Sequence, residues 1–317
     1  MSYAPFIKEI GRGPKGSKPL SVQQAESLFG DMMDGRVPDL ELGAIILSMR
    51  IKAESTDELL GFQQALDARC ARLAVPTGPR LVVLPTYNGA RRQPNLMPLV
   101  ALLLAREGVP VLVHGMVSDP TGRITSAAIF TALGLPPCPD AAAVAARWAA
   151  GQPAFVAIET LNRPLASLLA IRPVLGLRNS GHTIAKILPV LPGALRVVNH
   201  THPEYAVSLT QYLSDSLACA VLMRGTEGEP VADARRQPRM QVFRDGRIDA
   251  EASLAPQDGV LVELPVLPAG IDATSTAAHL RAVLAGDQPV PAPIAQQVAC
   301  LRAACAAGLS VSAGSAA

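Results

Sequence analysis

The chain has 317 residues, 49% of them hydrophobic and only 3% aromatic. That is long enough for one large domain or two ordinary ones and excludes global disorder, and the scarcity of aromatics favours helices packed on a sheet over an all-β sandwich. A formal net charge of +2 names no partner by itself, and five cysteines, odd in number and without CxxC spacing, argue against a disulfide framework or a zinc site.

Helices come first. Ser21 with Gln24, and Ser55 with Glu58, are capping boxes, and Gly35 stands where a helix C-terminus needs a glycine. Between them a helix opens at Pro38, with Leu42, Ile45, Ile46 and Met49 at helical spacing. The Ser55 helix is expected to run to about Leu73. A break at Val75-Pro76-Thr77-Gly78-Pro79 follows, and then the pattern changes. Strands are expected at 80–85, 109–114, 154–159, 196–199 and 218–223, with helices at 95–107, 124–134, 140–150 and 203–214. This alternation predicts an α/β sheet of mostly parallel strands. Helices return at 274–285 and 293–307. The expected organisation is a helical domain over 1–75, an α/β domain over 80–310 and a frayed tail over 311–317, with some later helices packing back on the first domain. No apolar run approaches the ~20 residues that span a bilayer, and no signal-cleavage pattern is present, so a cytoplasmic protein with no membrane partner is expected.

Charge is segregated. Between Asp67 and Glu107 there is no acidic residue, but Arg69, Arg72, Arg80, Arg91, Arg92 and Arg106. A second acid-free stretch from Thr160 to Pro203 holds Arg163, Arg172, Arg178, Lys186 and Arg196. A third patch, Arg12, Lys15 and Lys18, lies on the Gly-rich loop GRGPKGSK. Such patches suit a phosphate-bearing partner if folding gathers them, and are solvated surface if it scatters them.

The junctions after the strands are the informative motifs. The first, PTYNGARRQPNL, leads into a helix N-terminus, a place that suits phosphate. It is poor in glycine for a pyrophosphate cradle, having Gly89 alone. It offers Arg91 and Arg92 for bidentate phosphate contacts instead, with Tyr87 either stacked on a base or buried. In the second, VHGMVSDP, His114 and Gly115 end a strand, and Asp119 caps a turn or orients Arg123. Glu227 and Glu229 in GTEGEP are either Mg²⁺ ligands or solvated turn residues.

Taken together, IKEIGRG, VPDLELGAIILSMRIK, YNGARRQPNL, VHGMVSDPTGR, GLRNSGHTIAKI, HPEY and GTEGE resemble the anthranilate phosphoribosyltransferases and related nucleoside phosphorylases, and within them the DNA-binding YbiB branch. The resemblance spans about residues 7 to 230 and implies that fold, dimerisation through the helical domain, and a basic cleft for nucleic acid. Where the enzymes carry Gly-Thr-Gly-Gly-Asp this chain has PTYNG, and Lys-His-Gly-Asn becomes Val113-His114-Gly115-Met116. The acidic metal pair is at best Glu227-Gly228-Glu229, while Arg172 matches the arginine that contacts anthranilate. Losing the glycines, the lysine and the acidic pair weakens every support for diphosphate departure.

The first reading is therefore binding of DNA or RNA, single- or double-stranded, with low sequence specificity, by a homodimer that needs no cofactor. Its candidate contacts are Arg12, Lys15, Lys18, Arg91, Arg92, Arg123, Arg172, Arg178 and Lys186. The alternative is a diverged Mg²⁺-dependent phosphoribosyltransferase with an aromatic or nucleobase acceptor, in which Thr86, Asn95, His114 and Gly115 would hold the donor. A third possibility is a protein whose dimer surface docks another partner.

Overall fold

The computed structural model describes residues 2–13, 15–71, 73–74 and 78–306. Residues 75–77 of the expected break at 75–79, and the tail 311–317, lie outside the described residues. From the N-terminus come α1 (Ala4–Ile10), α2 (Val22–Met33), α3 (Asp39–Lys52) and α4 (Thr56–Asp67). Then follow β1 (Val82–Thr86), α5 (Met97–Arg106), β2 (Val111–Gly115), α6 (Ser126–Ala132), α7 (Ala141–Ala149) and β3 (Ala154–Ala157). Four short helices interrupt the alternation: α8 (Ile158–Leu161), α9 (Arg163–Ala170), α10 (Arg172–Leu175) and α11 (Ser180–Ile187). The pattern resumes with β4 (Leu195–His200), α12 (Glu204–Asp215), β5 (Ala220–Arg224), β6 (Met240–Arg244) and β7 (Arg247–Leu254), and closes with α13 (Ala273–Ala285) and α14 (Ala292–Ala306). No helix among the described residues is long and apolar enough to cross a membrane.

Two compact units result. One is Met1–Arg72 with Ile158–Val190, and the other Leu73–Ala157 with Leu191–Ala317. The 80–310 stretch is thus not one unit, because α8–α11 belong with the N-terminal helices. In this helical unit Phe29 and Phe62 stack at 4.5 Å, and Gly61 lets α4 press on α2, since a Cβ there would strike the Val22 carbonyl. Both capping boxes form as expected. The second does more than cap: fully buried Glu58 accepts from Ser55 N at 2.8 Å, Leu20 N at 2.9 Å and Lys52 Nζ at 2.6 Å. The charge is buried because these donors replace the water it loses. α4 stops at Asp67 rather than near Leu73, and the Ala71 N–H goes to the Leu161 carbonyl at 2.8 Å. Likewise β3 ends at Ala157, and 158–161 coil into α8 instead of extending the strand to 159.

The second unit holds a seven-stranded sheet in the order β3-β2-β1-β4-β5-β6-β7. Neighbours are parallel from β3 to β5, and β6 and β7 run antiparallel. The strands β1, β2 and β4 are buried and mostly apolar, as parallel strands covered on both faces are, with Thr86, His114, Arg196 and Asn199 as buried polar exceptions. The C-terminal helices belong to this unit: Leu280, Ile294 and Leu301 share a core with Val82, Val113, Val197 and Phe130. Strand order reverses between β1 and β4, where open α/β sheets bind ligands beyond their carboxyl ends.

One position in the helical unit is strained. Ala53, the residue after α3, has φ 64° and ψ 153°, a region that suits glycine and costs other residues about 1–3 kcal/mol. Glycine also loosens the unfolded chain by about 0.5–1 kcal/mol. Ala53→Gly should therefore stabilise by about 1 kcal/mol net, raising Tm by about 2–4 °C in a thermal melt. A lower Tm would show that Ala53 is not strained.

Candidate functional site

The β1–α5 loop starts at Tyr87, and Gly89 turns it with φ 62°, close against Arg123 and Ile124. Ala90 and Ile124 exchange backbone hydrogen bonds at 3.0 and 2.9 Å, tying the first junction to the second. The loop's amides thus point one way. In a strand–loop–helix junction such amides hold phosphate. Here they hold two carboxylates of the same chain. Glu229 Oε1 accepts from Asn88 N and Gly89 N, each at 2.8 Å. Glu227 Oε1 accepts from Arg92 N and Gln93 N at 2.8 Å, and its Oε2 from Arg91 N at 3.1 Å.

The turn that carries them is shaped to dock. Glu227 and Gly228 both take left-handed backbone, with φ 51° and 86°. A side chain at Gly228 would collide with the Asn88 amide, whose Nδ2 donates to the Glu227 carbonyl at 3.0 Å. Beneath the loop, Glu229 Oε2 also accepts from Thr86 Oγ1 and from Ser126 Oγ at 3.3 Å. Glu229 is buried, and these donors offset the loss of water around its charge.

The four residues expected to hold a phosphoribosyl donor are absorbed into this framework. Thr86 is buried against Ser126 and Glu229, and Asn95 Nδ2 donates to Ser126 Oγ at 3.0 Å while its Oδ1 accepts from Met97 N at 3.1 Å. Gly115 packs on the Thr86 carbonyl with no room for a Cβ. His114 is fully buried, with its Nδ1 2.7 Å from Tyr87 Oη. Tyr87 is correspondingly buried and not free to stack on a base. In this arrangement loop amides and hydroxyls take both oxygens of Glu229 and Oε1 of Glu227, while Glu227 Oε2 accepts from Arg91 N. No group of three or more His, Cys, Asp or Glu side chains suited to a metal occurs among the described residues.

Of the cations in this unit, Arg91 and Arg92 project into solvent without an ion pair among the described residues. Arg123 does not: its Nη1 donates to the Gly89 carbonyl at 3.3 Å and lies 3.8 Å from Glu227 Oε2. Asp119 caps its turn, accepting from Thr121 N at 2.9 Å and Arg123 N at 3.4 Å. The other candidates are in the helical unit. Arg12, Lys15 and Lys18 are exposed on a loop closed by Ser17 N donating to the Gly13 carbonyl at 3.0 Å. Arg172, Arg178 and Lys186 are half-buried and have interactions of their own. They surround buried His182, whose pKa falls to about 3 through desolvation first and then the positive charge of Arg178, Arg172 and Lys186.

Sequence reasoning misses the role of Glu227 and Glu229 as loop ligands. It reads them as metal or solvent carboxylates, since nothing local in GTEGEP reports amides that lie more than 130 positions away in the chain.

The histidines make stability depend on pH. Burial alone lowers His114 from 6.5 to about 3, and His182 is shifted equally far. Both are neutral when folded, while the unfolded chain protonates near 6.5. Their contribution is therefore complete above pH 6.5 and is lost as pH falls from there toward 3. One unit below 6.5 each histidine costs about 1.4 kcal/mol, so the pair removes about 3 kcal/mol. Denaturant unfolding across that range should show this loss, and His114→Gln should remove about half. A flat profile would show that the histidines are accessible.

Residues 4–70 match the glycosyl transferase family helical bundle domain. Over 319 aligned residues the chain is 40% identical to YbiB of Escherichia coli K12, covering 99% of this chain and 98% of that protein. It is 28% identical to an anthranilate phosphoribosyltransferase of Methylobacterium nodulans, covering 90% and 83%. Among solved structures, the Saccharomyces cerevisiae anthranilate phosphoribosyltransferase in complex with PRPP and Mg superposes with TM-score 0.69 at 12% identity, covering 96% of this chain and 93% of that one. The anthranilate phosphoribosyltransferase of Thermus thermophilus gives 0.66 at 19%, covering 95% and 94%. These two likenesses establish the fold alone. The near-complete match to YbiB establishes more, and the chain belongs to the YbiB family, on the scaffold of the anthranilate phosphoribosyltransferases.

Proposed function

We propose that the protein binds nucleic acid with low sequence specificity through exposed cations on this scaffold. The occupied loop carries the reading. Its amides, which would face a diphosphate, are saturated by Glu227 and Glu229, while the side chains of Arg91 and Arg92 project from the same loop. Anion recognition there belongs to guanidinium groups, which grip backbone phosphate bidentately and without regard to base. Arg12, Lys15 and Lys18 offer further contacts from an exposed loop, and Arg172, Arg178 and Lys186 add positive field in the same unit.

Binding of labelled single-stranded and duplex oligonucleotides across roughly 50 to 200 mM salt tests this. Affinity should fall steeply, with a log–log slope near −0.9 per neutralised phosphate in duplex. Arg91→Glu with Arg92→Glu should weaken all sequences alike and flatten the slope by about two. Unchanged affinity in that double variant would dismiss the loop as the contact surface. The names of the relatives favour a second reading, phosphoribosyl transfer. Saturable, Mg²⁺-dependent binding of phosphoribosyl diphosphate by calorimetry would put that reading first.

We also propose that the protein is a homodimer through its helical unit. Leu40, Leu47 and Ile51 fall on one face of α3 and are 88%, 47% and 59% exposed. An apolar stripe of that kind on a surface helix marks an interaction face. Light scattering should give twice the monomer mass, and Leu47→Glu with Ile51→Glu should give the monomer. A monomeric wild type would refute the assignment.

A further inference from the structure

A second candidate site lies in the α/β unit, away from the apolar core. A cavity of about 650 Å³ opens beyond the carboxyl ends of β4 and β5, where His200 and Arg224 are register partners. Its floor includes Leu222 and Gln241, paired across β5 and β6. The volume is that of an ordinary small-molecule site, and it lies on the carboxyl-end side of the parallel strands, one strand along from the β1–β4 switch point.

Three arginines line it: Arg224, Arg236 and Arg239. Arg224 and Arg239 have no ion pair among the described residues. The acids beside them are largely committed elsewhere. Glu227 serves the β1–α5 loop, and Asp233 accepts from Arg235 Nε and Nη2 at 3.1 Å. Asp258 is left without such a partner among the described residues. The cavity therefore retains uncompensated positive charge at one part of its wall and a single open carboxylate at another.

The remaining polar lining is His200, Thr226 and four amides, Gln93, Gln237, Gln241 and Gln257. Gln237 is 4% exposed, and while its Nε2 donates to the Pro238 carbonyl at 2.9 Å, its Oε1 has no partner among the described residues. A buried amide oxygen left bare is costly, and on a residue that lines the cavity it is the acceptor a ligand's donor would satisfy once the amide turns outward.

We propose that this cavity binds a nucleoside 5′-monophosphate unit. The arginines take the phosphate, as guanidinium forks do. Asp258 accepts from ribose hydroxyls. The glutamine amides, each both donor and acceptor, read the edge of a base. A ligand with phosphate alone leaves the amides unused, and a bare nucleoside leaves the arginines unneutralised. Nucleic-acid binding by Arg91 and Arg92 neither requires this site nor follows from it. The nucleotide comes either free in solution or as the 5′ end of a strand.

Calorimetry of the full chain with the four nucleoside 5′-monophosphates, the matching nucleosides and inorganic phosphate tests the proposal. At least one monophosphate should bind saturably and about tenfold or more tighter than its nucleoside or phosphate. Arg224→Ala with Arg239→Ala should lose about tenfold or more of that affinity. Both residues are exposed, so the thermal midpoint should not move. Two results would overturn the site: monophosphates binding no tighter than inorganic phosphate, or the double variant binding them as wild type does. A 5′-phosphorylated oligonucleotide separates the sources, measured in the Arg91→Glu, Arg92→Glu background. If it binds more tightly than its unphosphorylated twin and a monophosphate displaces it, the site takes a strand end. If the two oligonucleotides bind alike while the monophosphate still saturates, it takes free nucleotide.

Discussion

Much of the site follows from one interaction, the capture of five loop amides by two carboxylates of the same chain. A loop between β1 and α5 with its N–H groups aligned needs an anion. Glu229 and Glu227 supply it, at distances of 2.8 to 3.1 Å. Because the anion is covalently part of the fold, it is present at very high local concentration, and a dissolved phosphate must displace it. The turn that delivers it, with Glu227 and Gly228 both in left-handed backbone, is built for that delivery and little else.

The polar layer under the loop reinforces the same arrangement. Thr86, Ser126 and Asn95 form a chain of hydrogen bonds ending on Glu229, so the charge, the hydroxyls and the helix entry support one another. Beside it, His114 Nδ1 and Tyr87 Oη bond each other, and burial lowers the imidazole pKa to about 3. Residues that sequence alone assigns to a donor site are thereby tied into the framework under the loop. The same residue types at a strand end serve either purpose, and what decides between them is whether a carboxylate arrives from elsewhere in the chain.

This explains what is legible in the sequence and what is not. Local signals read well: both capping boxes, the parallel strands and the C-terminal helices stand within a few residues of expectation, because each is encoded over one or two turns. The short helices α8–α11 escape because Pro164 and Pro173 break the helical period every few residues, though Asn162 caps α9 and Gly176 ends α10 in the usual manner. The β6–β7 hairpin escapes for a different reason. Its turn, Asp245-Gly246 with φ 49° and 78°, is a strong hairpin signal, and β7 does alternate polar and apolar residues from Arg247 to Leu254, but two of its four apolar positions are alanine and none is fully buried, so the alternation is weak. The loop–carboxylate contacts are invisible because they are non-local. Arg123 shows the same limit: its charge is countable in the sequence, and its partner Glu227 is not.

The arrangement also bears on how a scaffold can change ligand without changing fold. The sheet, its switch point between β1 and β4 and the helices around it are held by apolar packing that the loop's charged and polar residues do not enter. Loop chemistry is therefore free to vary. Filling the amides from within holds the loop's shape without a dissolved anion, and it leaves the side chains of Arg91 and Arg92 as the outward-facing charge. A guanidinium on a solvated loop tolerates many phosphate geometries, whereas a ring of fixed amides tolerates few. On the proposed reading, recognition moves from backbone to side chain, which exchanges selectivity for one small anion for adaptability toward an extended polyanion.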